Sequence, residues 1–323
     1  MRPTNPHCAA FRRGVFYLAT NCFGTGQSAR NGLKYAKIRL MTSNEPSADE
    51  LIAYQGEPGA YSEIACMSFA PTFKPLPCGT FEAALEAVRE GRAARAMLPI
   101  ENSLAGRVGD LHYLLPESGL HIIGEHFLAI HHQLLAVKGT RLGDLKIVRS
   151  HPMALGQCRN TIKKLGLKAE TAGDTAGAGR RLAALQDKSE AVIASARAAE
   201  IYNLDILDRN IEDAGHNTTR FIQMAPEAMD ADPNDGPAVT SFIFQVRNIP
   251  AALYKAMGGF ATNNVNITKL ESYQLDGSFS ATMFYAEVEG HPQDTNVRLA
   301  LEELSFFSSS LKILGVYKSA RER

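Results

Sequence analysis

The feature that most limits the fold is a unit repeated between residues 51 and 202, in which a short apolar run precedes a polar loop and a helix start. The polar loops begin at Gln55, Glu101, Ser150 and Asp174. This repetition predicts an α/β fold with a mostly parallel sheet that helices cover on both faces. Helix N-termini carry unpaired N–H groups and the positive end of the helix dipole. Where several such loops converge, we expect a pocket for a small anion.

Three of the predicted helices begin next to residues that favour the N-cap position. Thr80 precedes a helical pattern that starts at Phe81, Asp174 precedes one that starts at Thr175, and Ser195 precedes a third. The side-chain oxygen of such a residue accepts a hydrogen bond from a free N–H of the first turn. These residues therefore predict where the three helices begin.

A polar cluster at residues 216–221 leads into a short apolar run. It places two adjacent hydroxyls, Thr218 and Thr219, between the amide of Asn217 and the guanidinium of Arg220. Polar residues at the end of a strand are where α/β folds usually place their chemistry. The alternative is a simple turn in which Asn217 and Thr218 bond their own backbone. If the cluster opens a strand, the two threonines point to opposite faces.

The last third of the chain has a different pattern. Residues 227–237 contain three Asp, two Pro and one Gly, a composition typical of a linker. Beyond them, the sequence predicts strand, helix, strand, strand, helix and strand over residues 238–319, which is the ferredoxin-like order. We therefore expect a first domain over residues 47–226 and a βαββαβ domain over residues 238–319.

Residues 1–46 are basic and contain a single acidic residue, Glu45. The segment 12–19 resembles a signal peptide, but its apolar core is short and no good cleavage site follows. An organelle transit peptide is a second reading, and a start codon assigned upstream of Met41 is a third. We favour the third and expect a disordered extension.

Composition excludes several classes of protein. Lys plus Arg and Asp plus Glu each number 34, so the overall charge favours neither nucleic acid nor an anionic membrane. No apolar run approaches the ~20 residues of a membrane-spanning helix. The five cysteines are widely spaced and odd in number, which predicts reduced thiols. We expect a cytoplasmic protein that binds neither nucleic acid nor membrane.

Two patterns that suggest a bound group are rejected. Residues 177–179 resemble the start of a dinucleotide-binding fingerprint, but Leu182 occupies the position of the third glycine. His121 and the pairs at 125–126 and 131–132 suggest a metal site. Their spacing fits no zinc-protease pattern and no thiolate cluster accompanies them. We therefore predict no metal.

Four motifs together resemble the prephenate dehydratase family over roughly residues 51–317. In chain order they are Gly56-x-x-Gly59-x-Tyr61-Ser62, Pro99-Ile100-Glu101-Asn102-Ser103, Ser150-His151-Pro152-x-Ala154-x-x-Gln157-Cys158 and Asn217-x-Thr219-Arg220-Phe221. The C-terminal domain resembles an ACT regulatory domain through Ala251-Ala252-Leu253 and Glu271-Ser272. Four ordered motifs with the expected second domain are far more specific than any one of them.

The resemblance implies a two-lobed catalytic domain like a type II periplasmic binding protein. The chain would cross between lobes near residues 126–135 and return near 216–221, which places Thr219 in the cleft. The implied reaction converts prephenate to phenylpyruvate, water and carbon dioxide in phenylalanine biosynthesis, without a cofactor. The family's essential threonine falls on Thr219, which we expect to donate a hydrogen bond to the leaving oxygen.

Other residues are expected at the substrate site. They are Glu101, Asn102, Ser103, Ser150, His151, Gln157, Thr175, Asn217, Arg220 and Phe221. For Arg220, two roles stay open: it binds a substrate carboxylate or it braces the cleft.

An ACT domain also implies control by L-phenylalanine. The residues expected near this effector are Ala251, Ala252, Leu253, Asn266, Glu271 and Ser272. Two positions depart from the family pattern, because Ala251 replaces a glycine and Tyr273 replaces an arginine. We expect weaker inhibition, since a methyl group narrows the site and a cation is lost.

We also expect a homo-oligomer, a dimer or a tetramer, formed partly by ACT–ACT contact. Four strands with both helices on one side leave an open sheet face and two edges, and such surfaces usually require a partner.

Three alternative functions remain open. An arogenate dehydratase would perform the same chemistry on the transaminated substrate, and assays of both substrates would separate the two. A solute-binding protein would share the two-lobed fold, because fold does not fix function. The fused ACT-like domain and the absence of a convincing signal peptide argue against it. An amino-acid sensor that uses only the ACT-like domain would not need the intact run Thr219-Arg220-Phe221.

Overall fold

The computed structural model describes residues 47–234, 236–274 and 281–321. The predicted extension over residues 1–46 lies outside them. The described residues form three β-sheets, which we name lobe 1, lobe 2 and the C-terminal module. Within this part of the chain, no helix is both long and apolar enough to cross a membrane.

Lobe 1 is a six-stranded sheet with helices on both faces. Its strands are β1 (Leu51–Gln55), β2 (Lys74–Cys78), β3 (Arg95–Asn102), β4 (Gly106–Arg107), β5 (His121–Ala129) and β11 (Thr218–Ala225). Its helices are α1 (Tyr61–Phe69), α2 (Phe81–Arg89) and α3 (Gly109–Leu114). Strand β1 is parallel to β2 and β3, whereas β11 runs antiparallel to β3 and β5.

Lobe 2 is a five-stranded sheet. Its strands are β6 (Gln133–Ala136), β7 (Ile147–Ser150), β8 (Lys168–Thr171), β9 (Glu190–Ala194) and β10 (Asp205–Asp208). Its helices are α4 (Pro152–Gln157), α5 (Arg159–Lys164), α6 (Thr175–Leu185) and α7 (Ala196–Tyr202). Two short 3₁₀ helices, Ala48–Glu50 and Leu142–Asp144, precede β1 and β7.

The prediction of one mostly parallel sheet was wrong. The chain forms two mixed sheets, in which β5 and β11 of lobe 1 and β6 and β10 of lobe 2 make antiparallel pairs. These four strands flank the two segments in which the chain passes from one lobe to the other, residues 130–132 and 209–217. The first crossing lies within the predicted range 126–135, whereas the second begins earlier than the predicted range 216–221 and overlaps it only at residues 216–217. An apolar run indicates that a strand is buried but not in which direction it runs.

The three predicted N-caps are confirmed. Thr80 Oγ1 accepts from the amide of Ala83 at 3.1 Å and Ser195 Oγ accepts from the amide of Ala198 at 3.0 Å. The carboxylate of Asp174 accepts from the amide of Gly177. Each of the helices α2, α6 and α7 begins at the residue after its cap.

The C-terminal module has the predicted βαββαβ order, so the two-part fold class is confirmed. Its elements are β12 (Ala238–Gln245), α8 (Ala252–Thr262), β13 (Ile267–Gln274), β14 (Ala281–Glu289), α9 (Thr295–Phe307) and β15 (Ser310–Lys318). The strand order is β13-β14-β12-β15. Phe242, Phe244 and Ala286 face α8 and α9 and pack on Phe260 and Leu304.

The opposite face of this sheet packs against lobe 1. Val239, Ile243 and Tyr285 share one hydrophobic core with Ile122 and Met224 of lobe 1. The sheet face that we expected to require a second copy of the chain is therefore covered by the chain itself. The sequence pattern identified an apolar face but could not identify what covers it.

Candidate active site

A cavity of about 460 Å³ lies between the two lobes. Lobe 1 contributes Tyr61, Ser62, Asn102, Thr219 and Phe221 to its wall, and lobe 2 contributes His151, Gln157, Asp174 and Thr175. His132, in the first crossing segment, also lines the cavity. Six of the predicted site residues thus line one cavity: Asn102, His151, Gln157, Thr175, Thr219 and Phe221.

Strand pairing brings Thr219 beside Asn102. Their Cα atoms are direct partners in the antiparallel pair of β11 and β3. Alternation along β11 points Thr219 and Phe221 toward the cavity and Arg220 toward the other face of the sheet. Thr218 is absent from the cavity wall, and its backbone amide and carbonyl bond the side chain and amide of Ser103.

The amide of Asn102 determines how the Thr219 hydroxyl is oriented. Asn102 Oδ1 accepts from the backbone amides of Leu104 and Ala105 at 3.0 and 2.9 Å, so its Nδ2 must face the other way. That nitrogen donates to Thr219 Oγ1 at 2.9 Å. Because a lone pair of Oγ1 is occupied in this way, the hydroxyl proton of Thr219 is free to be donated to a ligand in the cavity.

The hydrogen bonds continue from Asn102 into lobe 2. Asn102 Nδ2 also donates to Asn217 Oδ1 at 2.8 Å, and Asn217 Nδ2 donates to Gln157 Oε1 at 3.0 Å. Gln157 Oε1 lies 2.8 Å from His132 Nε2, and His132 Nδ1 lies 2.7 Å from Tyr61 Oη. We call this chain of contacts, from Tyr61 through His132, Gln157 and Asn217 to Asn102 and Thr219, the amide relay.

The cavity wall contains helix N-termini and two carboxylates, those of Asp110 and Asp174, and the Asp174 carboxylate accepts from the amide of Gly177. The first turn of α1 (Tyr61 and Ser62) and the first residue of α6 (Thr175) lie in the wall. Of the described residues that line the cavity, none is Lys or Arg. Free N–H groups and the dipole at a helix N-terminus favour anions. The site is therefore suited to carboxylates that are held by neutral donors.

Ser103 and Ser150 have structural partners. Ser103 Oγ donates to the carbonyl of His216 at 2.9 Å and accepts from the amide of Thr218 at 3.0 Å, so it ties the end of β3 to the start of β11. Ser150 is fully buried and donates to the carbonyl of Ile193 at 2.6 Å. Neither side chain lines the cavity.

Arg220 and Glu101 meet at the junction between lobe 1 and the C-terminal module instead of in the cavity. The buried guanidinium of Arg220 pairs with Glu101 at 3.1 Å, Glu125 at 2.7 Å and Glu287 at 2.9 Å. It also donates to Tyr317 Oη at 3.0 Å. Glu101 binds Lys269 of β13 as well. Of the two roles left open for Arg220, these contacts favour the bracing one.

The expected effector residues occupy two ends of the C-terminal module. Ala251, Ala252 and Leu253 lie at the start of α8, whereas Asn266 follows its end and binds Glu289. The eleven residues of α8 separate these ends by roughly 16 Å at 1.5 Å per residue. Glu271 and Ser272 lie on β13, where Arg107 of lobe 1 donates to the carboxylate at 3.5 Å and to the Ser272 carbonyl at 3.2 Å.

The two departures from the family pattern have clear structural positions. Ala251 has the left-handed φ of 62°, which a glycine would adopt without strain. Tyr273 is buried against His112 and Tyr113 of α3, with ring centroids 6.2 and 5.8 Å apart. Its side chain thus packs on lobe 1.

Four of the polar residues named above in the cavity wall are not among the predicted site residues: Tyr61, Ser62, His132 and Asp174. The first two belong to the motif at residues 56–62, which supports the family resemblance but from which no site residue is predicted. His132 was noticed as part of a histidine pair and assigned to a rejected metal site. Its partners come from residues 61 and 157, and no local spacing reveals such a pairing. Among the described residues, no group of three or more His, Cys, Asp or Glu is arranged to hold a metal ion.

Comparison with known proteins identifies the family. The sequence profile described as prephenate dehydratase matches residues 52–229, more than half of the chain. The chain belongs to the prephenate dehydratase family. Members of this family are carbon–oxygen lyases, so the chain is an enzyme of the hydro-lyase type.

Relatives within the prephenate dehydratase family are similar over most of this chain. A bifunctional N-acyl-homoserine lactone acylase/prephenate dehydratase of Komagataeibacter europaeus is 50% identical, over 85% of this chain and 98% of that protein. Arogenate dehydratase 2 of Petunia hybrida is 42% identical, over 83% of this chain and 71% of that protein. A crystal structure of prephenate dehydratase from Arthrobacter aurescens in complex with L-Phe has a TM-score of 0.76 at 29% identity, over 84% of this chain and 90% of that one.

Proposed function

We propose that this enzyme converts prephenate to phenylpyruvate, water and carbon dioxide. The observation that carries the proposal is the Thr219 hydroxyl, which lines the interlobe cavity and accepts from Asn102, so that its proton is left for a ligand. Cleavage of the C–O bond and of the bond to the ring carboxylate makes an aromatic ring, so the reaction has a large intrinsic driving force. The protein has to hold two carboxylates and stabilise the departing oxygen.

The site offers a group for each task. The N-termini of α1 and α6 and the neutral donors of the wall hold the carboxylates in place. Thr219 donates a hydrogen bond to the oxygen as negative charge develops on it, and the departing hydroxide takes up a proton from solvent to become water, so that one proton is consumed per turnover. A threonine hydroxyl is a weak acid, so its part is that of an oriented donor rather than of the final proton source.

The direct test is to incubate the purified protein with prephenate and to follow the absorbance of phenylpyruvate. A parallel assay with arogenate, read as phenylalanine formation, separates the two dehydratase activities, because the Petunia relative is an arogenate dehydratase. Turnover of prephenate at the higher kcat/KM supports the proposal. A clear preference for arogenate replaces it with the second substrate, and no turnover of either substrate contradicts it.

A second candidate activity is amide hydrolysis of N-acyl-homoserine lactones. It is favoured by the Komagataeibacter protein, whose name includes this activity and of which 98% aligns with this chain at 50% identity. The assay is release of homoserine lactone from an N-acyl-homoserine lactone. The Thr219→Ala variant locates the activity, since loss of both reactions assigns them to the interlobe cavity and retention of the acylase reaction assigns it elsewhere.

We also infer that L-phenylalanine inhibits the enzyme through the C-terminal module. Support comes from the Arthrobacter structure, which contains L-Phe, and from the contact between β13 and lobe 1. Glu271, Ser272 and Tyr273 touch residues 107–113, and this same segment contributes Val108 and Asp110 to the cavity wall. If the contact between β13 and residues 107–113 has two arrangements, an effector that binds one of them more tightly shifts the protein toward it and so changes the shape of the cavity.

Titration with phenylalanine tests this control. We expect inhibition of the wild type and tighter inhibition of Ala251→Gly, because that substitution restores the residue of the family pattern and removes a methyl group. Absence of inhibition at millimolar phenylalanine in both proteins would mean that the module is structural or senses another ligand.

A homo-oligomer remains part of the proposal, although its basis changes. Lobe 1 covers the sheet face, but Tyr254 on α8, Phe306 on α9 and Ile249 just before α8 are exposed at 81%, 82% and 57%. Exposed apolar side chains concentrated on one face mark an interaction surface. Light scattering at micromolar concentration is expected to show at least a dimer, and a monomer would contradict this.

A further inference from the structure

His132 is buried in the first crossing segment, and it touches both lobes. Its Nδ1 lies 2.7 Å from Tyr61 Oη on α1, and its Nε2 lies 2.8 Å from Gln157 Oε1 on α4. Its backbone amide donates to Glu212 in the second crossing segment at 2.8 Å. A histidine held by three parts of the chain has a fixed position and a fixed ring orientation.

The hydrogen-bond pattern assigns the proton on this imidazole. Backbone amides fix the orientation of the Asn102 side-chain amide, and Asn102 in turn fixes that of Asn217. Asn217 Nδ2 then donates to Gln157 Oε1. Gln157 Oε1 is therefore the amide oxygen, and His132 Nε2 must donate to it. In a neutral imidazole Nδ1 is then the acceptor. Two acceptors lie near the single proton of the Tyr61 hydroxyl, the His131 carbonyl at 3.0 Å and His132 Nδ1 at 2.7 Å, and the nearer Nδ1 needs this donor because it carries no proton of its own.

Both groups remain neutral near pH 7. Burial lowers the pKa of the His132 imidazole, and the opposing effects of the Gln157 hydrogen bond and the Glu212 carboxylate are smaller. Burial also raises the pKa of the Tyr61 hydroxyl well above its ordinary value. The donor and acceptor assignments above therefore hold across the neutral range.

These assignments determine the orientation of the Gln157 side chain, because its oxygen accepts two hydrogen bonds, from His132 and from Asn217. Its NH₂ group makes no hydrogen bond within the described part of the chain, and the side chain lines the cavity. We propose that His132 is a positioning residue, which together with Asn217 holds the Gln157 amide with its NH₂ group toward the cavity as a donor for a substrate carboxylate. This role presumes the proposed prephenate chemistry and adds to it a residue that acts through another.

Without the donor at His132, only Asn217 Nδ2 still donates to the Gln157 oxygen, so the amide is held less firmly and can rotate by half a turn more readily. Its carbonyl oxygen would then face the substrate carboxylate, and the site would lose a donor and gain a repulsive dipole. A hydrogen bond to a charged group contributes about 1.5–3 kcal/mol, which corresponds to roughly a 10–150-fold change in affinity. Thr219 is oriented separately, by Asn102 and the backbone, so the chemical step is not directly affected.

The experiment compares His132→Met with His132→Gln. Both replacements are unbranched and similar in length, but only glutamine offers a donor where Nε2 stood. We expect His132→Met to raise the KM for prephenate by about tenfold or more while kcat stays within about threefold. His132→Gln should restore KM to near the wild-type value. Equal KM values in the wild type and His132→Met, or equal impairment in both variants, would overturn the proposal.

Gln157→Glu is a second variant that keeps an oxygen for His132 and Asn217 and replaces the NH₂ group with a carboxylate oxygen. Its KM should rise at least as much as that of His132→Met, and an unchanged KM would overturn the proposal even if the methionine variant fails to fold.

A spectroscopic measurement separates this inference from the proposed function. The ¹⁵N chemical shifts of the His132 imidazole in the full-length wild-type protein report which nitrogen carries the proton. We expect the Nε2–H tautomer from pH 6.5 to 8, and the Nδ1–H tautomer would overturn the relay. If the enzyme turns over neither prephenate nor arogenate, the proposed function fails, while the tautomer still decides how His132 is used.

Discussion

At the scale of single residues, the site depends on which way a few hydrogen bonds point. Asn102 is a donor toward Thr219 because two backbone amides occupy its oxygen. The same constraint passes through Asn217 to Gln157. One hydrogen-bond network thus orients two donors on different lobes, the Thr219 hydroxyl and the Gln157 amide. The backbone amides of Leu104 and Ala105 determine the direction of its hydrogen bonds.

Thr219→Ala should lower kcat by at least about a hundredfold, the scale for loss of one oriented transition-state donor. The matched control is Thr218→Ala, because the Thr218 side chain is absent from the cavity wall and only its backbone groups bond Ser103. Steady-state rates with prephenate, together with melting curves, check this. Equal losses in the two folded variants would refute the assignment of Thr219 as the donor.

Asn102→Asp is an isosteric change that reverses the direction of the hydrogen bond between residue 102 and the Thr219 hydroxyl. One carboxylate oxygen still accepts from Leu104 and Ala105, but the other can only accept from Thr219. The threonine proton then points away from the substrate, so kcat should fall about as far as in Thr219→Ala. The measurement is kcat above pH 7, and near-wild-type turnover would show that Asn102 does not orient the hydroxyl.

At the scale of secondary structure elements, β11 links the cavity to the C-terminal module. Thr219 faces the cavity, and the next residue, Arg220, faces three carboxylates at the junction. Beside it, β15 approaches β5 so closely that a side chain at Gly315 would overlap the carbonyl of Ile122. Any displacement of the module therefore acts on the strand that carries the candidate donor.

Gly315→Ala should destabilise the protein by several kcal/mol, because the Cβ atom would overlap backbone rather than a movable side chain. Gly258→Ala is the matched control. That residue lies within α8 with open space around it, and the change should stabilise the helix by roughly 0.5–1 kcal/mol. Urea unfolding measures the change in unfolding free energy for each substitution. Similar effects of the two substitutions would show that β15 can move away from β5 without loss of stability.

Ala251→Gly should leave stability unchanged or raise it by up to about 1 kcal/mol. The left-handed conformation of Ala251 costs about 1–2 kcal/mol, and the greater freedom of glycine in the unfolded chain offsets part of the gain. Ala261→Gly in the same helix, at an ordinary helical position, should instead cost roughly 0.5–1 kcal/mol. Thermal and urea unfolding check the pair, and a loss as large at 251 as at 261 would argue against strain.

At the scale of the whole molecule, lobe 1 and the C-terminal module share one hydrophobic core and a buried ion cluster. Removing one partner of a buried ion pair typically costs 3–5 kcal/mol, because the remaining charge stays buried. The two parts should therefore unfold together.

Stability should fall as the pH is lowered from 8 to 5.5. Burial lowers the pKa of His112, His126 and His132 in the folded protein. The unfolded chain titrates near pH 6.5 and so binds more protons below that value, which favours unfolding. Their stabilising contribution is complete above pH ~6.5 and is lost as the pH falls. Each histidine adds a slope of up to about 1.4 kcal/mol per pH unit.

Urea unfolding between pH 5.5 and 8 measures this dependence. Carboxylates with lowered pKa values, such as Glu212, begin to lose their contribution only near pH 4.5, outside this window. An unfolding free energy that is the same at both ends of the window would contradict the neutral, buried state of the three imidazoles.

The sequence by itself determined the local structure and the family. Side-chain oxygens at Thr80, Asp174 and Ser195 fixed three helix starts, because a cap depends on groups within a few residues. Ordered motifs identified the family, and the resemblance implied the first point at which the chain changes lobe. The βαββαβ order of the C-terminal module followed from periodicity and turn residues alone.

Only the tertiary structure decided in which direction the strands run, what covers the apolar sheet face of the C-terminal module, and which partners the buried polar side chains have. Strand direction, the burial of the module's sheet on lobe 1 and the place of Arg220 depend on contacts between residues that are distant in the chain. The same holds for His132, whose partners are 71 and 25 residues away. Periodicity reports which face of an element is apolar, and residue type reports which bonds a side chain can make. Neither reports which distant group fills the face or accepts the bond, because that is set by how the whole chain packs.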